Sequence, residues 1–134
     1  MKTKRLFPAI LVTFIFIFLY EWGFHGVLLK PIYASTPELW RGQAMMQHFM
    51  PFLTAGQFIS ALFLGIIFSK GYENRGIGEG LRFGLLMGLF LSGYPLIKYA
   101  VAPISLNLAL YWIAGGLVEM AIAGMLLAAV CRPK

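Results

Sequence analysis

Four apolar runs, each long enough to cross a bilayer, decide most of what this 134-residue chain can fold into. A spanning helix needs about 20 mostly apolar residues, and residues 6–29, 51–69, 81–101 and 106–130 all meet that standard. Lipid offers no partner to backbone N–H and C=O groups, so runs of this kind satisfy them internally, as helices. Charged residues are 12% of the chain, against roughly 25% in a soluble domain, so lipid is the expected solvent. The expected fold is all-α: a four-helix transmembrane bundle of two antiparallel hairpins, forming a single integral membrane domain over residues 1–134. Connections and tails use up the remaining length, which leaves none for a soluble catalytic domain.

The start, MKTKR before an apolar run, has the look of a secretory signal. That run is longer than the roughly 7–15 residues of a signal core and carries Glu21, so it is expected to stay as the first span. Basic residues near span ends favour the cytoplasmic side. Lys2, Lys4, Arg5, Lys70, Arg75, Arg82, Arg132 and Lys134 fall on one side of a four-span chain, and Lys30, Arg41 and Lys98 on the other. Both termini are therefore expected inside. In size and hydropathy the chain resembles the small four-span proteins of bacterial inner membranes, which implies that location. Its net charge of +6 follows from this asymmetry and from attraction to anionic headgroups, so it does not point to nucleic acid. The single cysteine, Cys131, has no intramolecular partner and reads as a small apolar residue.

The longest outer connection contains STPEL, a helix-start signal with Ser35 or Thr36 as N-cap and Glu38 placed for a capping box. It predicts a short interfacial helix over residues 37–49 under an aromatic belt, with Pro51 opening the second span. The inner connection KGYENRGIGEG is a polar loop, and its Gly76, Gly78 and Gly80 lack the spacing and the preceding strand of a phosphate cradle. In the third span Gly80, Gly84, Gly88 and Ser92 recur every four residues. Such a row lets two helix backbones approach closely. Packing inside the bundle is its first expected use, and a homodimer or a larger membrane complex its second.

Polar groups break the apolar runs at few places. Glu21 and His25, in EWGFHG, are four residues apart and share one helix face. Glu119 sits mid-span, where a carboxyl needs a partner or a proton. Counted by depth, Gln57, Tyr94 and Lys98 join them in the outer half of the bundle, while the inner half is nearly devoid of polar side chains. The expected site is an outward-facing intramembrane pocket of Glu21, His25, Gln57, Tyr94, Lys98 and Glu119 that binds or conducts a small polar ligand, cation or proton. Interhelical hydrogen bonding alone would also account for these side chains, at less than about 1 kcal/mol each.

Thioethers and imidazole suit Cu(I), and Met45, Met46, His48 and Met50 cluster at the outer mouth, with His25 at similar depth. A haem held by His25 and His48 is the related alternative. No H-E-x-x-H, G-x-S-x-G or Walker pattern occurs, so the sequence points away from an enzyme and calls for no cofactor of its own. Three function classes remain: a ligand-binding or permeation protein, a non-catalytic accessory subunit of a larger membrane complex, and a haem or copper protein.

Overall fold

The computed structural model describes residues 3–133, which form six α-helices and no strand. They are α1 (Thr3–Gly23), α2 (Lys30–Ala34), α3 (Gln43–Lys70), α4 (Ile77–Leu91), α5 (Gly93–Val101) and α6 (Leu106–Cys131). Four helical stretches, Lys4–Leu28, Gln43–Lys70, Ile77–Val101 and Leu106–Cys131, are long and apolar enough to cross a membrane. Lys2 and Lys134, two of the basic residues used for orientation, lie outside the described residues.

Helix α6 is the hub. Its most apolar window is 39% buried against 22% for each of the other three, because both α1 and α4 pack along it while α3 packs mainly on α1. The α4–α6 contact is made backbone to backbone: Gly80 lies against Gly124, Gly84 against Met120, and Gly88 against Leu117. Partner numbers fall as the α4 numbers rise, so the two helices run in opposite directions. Ser92, the last member of the row, does not join this seam. Its hydroxyl donates to the Leu89 carbonyl at 2.6 Å, at the end of α4.

Helix α1 meets α3 in the same opposed sense, with Ile10 beside Gly65 and Phe14 edge-on to Phe58 at 5.5 Å. A stripe of Ala9, Thr13 and Ile17, four residues apart, is buried with Ala61, Leu64 and Phe68 of α3 and Ala123, Leu127 and Cys131 of α6. This core occupies the end of the bundle that holds the two chain ends, where Arg5 also donates to the carbonyl of Arg132. The loop between α3 and α4 lies at the same end. Glu79, in the first turn of α4, accepts the loop's backbone N–H groups of Glu73 at 2.6 Å and Arg75 at 2.7 Å, while Asn74 and Gly76 take positive φ to turn the chain.

Two expectations about element bounds are corrected. Residues 37–49 are not one interfacial helix: Pro37–Leu39 form a single 3-10 turn, Trp40 is extended, and α3 starts at Gln43, with Pro51 well inside it. The Thr36 hydroxyl, expected to cap a helix, instead accepts the Trp40 indole N–H at 3.1 Å. Trp40 packs edge-on against Tyr33 at 5.1 Å and Trp112 at 6.2 Å, and that aromatic burial overrides the local helix-start signal. The third apolar run is likewise broken into α4 and α5 at Ser92. Pro95 is the cause, since its ring clashes with the carbonyl four residues earlier, that of Leu91, where α4 ends.

Candidate functional site

The loop end of α1 widens into one turn of π-helix, Phe24–Leu28, closed by the Leu29 N–H on the Phe24 carbonyl at 2.9 Å. A π turn holds one residue more than an α turn and is frequent at functional sites. Gly23 and Gly26, lacking side chains, flank and interrupt it. Beyond it the short α2 carries Tyr33 back over His25, with the two rings stacked at 28° and 6.1 Å between centroids.

Four side chains then form one chain of hydrogen bonds. The Trp112 indole N–H donates to the Tyr33 oxygen at 2.8 Å, the Tyr33 oxygen lies 2.6 Å from His25 Nδ1, and His25 Nε2 lies 2.9 Å from the Glu21 carboxylate. An indole nitrogen can only donate, so the tyrosine oxygen accepts there, and with a neutral imidazole beside it the phenol proton turns to Nδ1. Neutral His25 then carries its hydrogen on Nε2 and gives it to Glu21, and every bond in the series is satisfied in one direction. Burial holds the Tyr33 phenol above the ordinary tyrosine range, so it keeps the proton it donates throughout neutral pH.

Behind Glu21 lies Glu119 on α6, 6% exposed and within hydrogen-bonding reach of the Glu21 carboxyl. Two carboxyl groups share a hydrogen bond only while one of them carries a proton. One turn earlier on α6, the Gly115 carbonyl accepts the Tyr20 hydroxyl at 2.7 Å, and the Phe24 ring lies where a Gly115 side chain would be. These two contacts fix α1 against α6 at the depth of Glu119.

Glu21, His25, Tyr33 and Gln57 line a cavity of about 520 Å³ between α1, the α2 region and α3. Phe18, Trp22 and Trp40 supply aromatic wall, and Met46, Met50 and Leu53 line the α3 side. The exposed Lys30 and Arg41 stand at its mouth. The buried Gln57 amide oxygen has no hydrogen-bond partner among the described residues. A second hollow of about 530 Å³, on the α1–α6 seam, is lined by residues such as Leu19, Phe24, Leu28 and Val118 and presents no charged side chain. The first is therefore the candidate site.

Of the six residues expected in the pocket, Glu21, His25 and Gln57 line the cavity and Glu119 stands behind Glu21. Tyr94 and Lys98 do not belong to it. Both lie on α5, beyond the break that Pro95 imposes, and α5 packs on α6 rather than on α1 or α3; Tyr94 is 66% exposed. The five-residue metal set is not gathered either. Met46 and Met50 line the cavity, but His48 sits two residues from Met46, about 200° around the helix, on the exposed side with the 52% exposed Met45. Both ring nitrogens of His25 are engaged by Glu21 and Tyr33. Among the described residues no group of three or more His, Cys, Asp or Glu side chains is placed to hold a metal ion. Tyr33, Trp40 and Trp112 are contributors that spacing did not reveal; their aromatic character was the available signal, and only the π turn and the extended Trp40 bring them to His25.

Comparison of the chain with protein-family models, with curated proteins and with solved structures returns no match.

Proposed function

We propose that this chain is a polytopic protein of the bacterial inner membrane, arranged in the bilayer as two hairpins with both termini cytoplasmic, whose outward-facing cavity binds a small polar ligand or cation. The observation that carries the reading is the Glu21–His25 pair on the wall of the 520 Å³ cavity, backed by a buried second carboxyl. Intramembrane ionisable groups are expensive, and their arrangement around a cavity is the usual sign of a site. Binding at one face is favoured over passage through the bundle, because beyond Glu119 the helix seams close on Ile17, Ala61, Met120 and Ala123. The accessory-subunit alternative has less support, since Gly80, Gly84 and Gly88 are already covered by α6 and do not offer a free surface to a partner helix.

A thermal-shift screen of small polar solutes and cations in detergent tests this reading. At least one solute should raise the melting temperature of the parent protein and leave Glu21→Gln unmoved, while the unliganded variant melts close to the parent. Loss of a charge-assisted contact is worth about 1.5–3 kcal/mol, so its affinity should fall roughly ten- to hundred-fold. A solute that stabilises parent and Glu21→Gln alike would place its site elsewhere, and a parent that responds to nothing would end the binding reading. For the topology, a reporter inserted near Gln43 should be external and one fused at the C-terminal end cytoplasmic. The reverse pattern would turn the cavity mouth to the inside.

A further inference from the structure

The cavity carries its charges in a fixed order. At its inner wall is the half-buried Glu21 carboxylate, and at its mouth are the exposed Lys30 and Arg41. Neither basic residue has a carboxylate partner among the described residues. The Arg41 guanidinium carbon lies over the Phe49 ring, 3.8 Å from its centroid. Phe18, Trp22 and Trp40 line the same cavity. A simple cation would be drawn to Glu21 and the aromatic faces but repelled at the mouth, and a simple anion would be held at the mouth but repelled by Glu21. A molecule with an ammonium at one end and an anionic oxygen group at the other meets neither conflict.

We propose that the cavity takes a zwitterion, its ammonium against Glu21 and the aromatic wall and its anionic group against Lys30 and Arg41. This deepens the binding reading above and rests on it. The same chemistry occurs in the headgroup of phosphatidylethanolamine and in free amino-phosphates, so both sources enter the test. The probes are glycerophosphoethanolamine, ethylamine and glycerol phosphate, added to the full chain in detergent. Titration calorimetry reads binding, together with the fluorescence of Trp22 and Trp40 in the cavity wall.

The zwitterion should bind saturably and at least about ten-fold more tightly than either half-molecule. Glu21→Gln should bring its affinity down to that of glycerol phosphate for the parent, and Arg41→Ala, at an exposed position, down toward that of ethylamine. In nanodiscs, a response to the soluble probe that persists in phosphatidylglycerol but disappears in phosphatidylethanolamine assigns the site to a lipid headgroup. A response in both discs assigns it to a free solute, and either result supports the zwitterion. Ethylamine binding as tightly as glycerophosphoethanolamine would overturn the proposal and leave the binding reading standing. Absence of a saturable signal from all three probes in detergent and in both discs would also overturn it, with the solute screen then deciding the wider reading by itself.

Discussion

Gly84→Leu should cost the folded bundle about 3 kcal/mol or more, the upper end of what overpacking does. A Cβ at Gly84 would run into the Met120 carbonyl oxygen, and it would lie 2.8 Å from the Met120 carbonyl carbon and 2.9 Å from the Ala121 Cα. All three are backbone atoms of α6, which cannot swing aside as a side-chain tip can. Relief requires moving α4 away from α6, which also opens the contacts of Gly80 with Gly124 and Gly88 with Leu117. Even Gly84→Ala should be clearly destabilising, although alanine is the better helix former by about 1 kcal/mol. Gly56 on α3 is the control: nothing lies within 4 Å of a Cβ there, so Gly56→Ala should be neutral or slightly stabilising. Unfolding in mixed micelles measures all three. A Gly84→Leu protein as stable as the parent would show that α4 and α6 do not meet along this row.

Tyr33→Phe removes a single oxygen and should cost about 2–4 kcal/mol, because it leaves two polar groups without partners at once. The Trp112 N–H loses its acceptor and His25 Nδ1 loses its donor, both at part-buried sites, so each costs toward the low end of the about 1–3 kcal/mol of an unsatisfied buried group. Trp112→Phe removes one donor and leaves the Tyr33–His25 bond intact, so the penalty from lost hydrogen bonding should be smaller. The double variant should then cost less than the sum of the two, since with both partners gone the indole N–H is no longer stranded. Strict additivity would show that the Trp112–Tyr33 bond does not exist in the folded protein. Tyr33→Phe should also weaken binding at the cavity, because His25 is then free to rotate away from Glu21.

How much of this was legible depends on whether local pattern or distant packing decides a residue's place. The four apolar runs were plain because length and apolar composition are local properties that can be read directly along the chain. The Glu21–His25 pair was equally plain, since a four-residue spacing brings two side chains together on any helix, and the glycine row named the face of α4 that packs, though not its partner. Tyr33 was hidden: eight residues from His25 puts it more than two turns away on a regular helix, and only the extra residue of the π turn with the restart at α2 folds it back. Tyr94 and Lys98 were misplaced by counting depth along a straight helix, although Pro95 was in plain view as the reason the helix would not be straight. Trp40 shows the opposite case, a good helix-start signal defeated because the indole gains more from Tyr33 and Trp112 than the backbone gains from another turn.

The length of α3 has a consequence for where the cavity operates. Twenty-eight helical residues extend about 42 Å at 1.5 Å per residue, whereas the hydrocarbon core of a bilayer is about 30 Å thick. Placed in a bilayer, the helix has more than two turns in excess, and the surplus at its start includes Met46 and Met50, which line the cavity. In the proposed arrangement the depth of the mouth would be set by hydrophobic mismatch. In that arrangement a thin membrane would leave it standing in the aqueous layer and a thick one would draw it down toward the acyl chains, so lipid chain length would act as a dial on what can reach Glu21. Reconstitution in lipids of graded chain length would turn that dial without altering a residue of the protein.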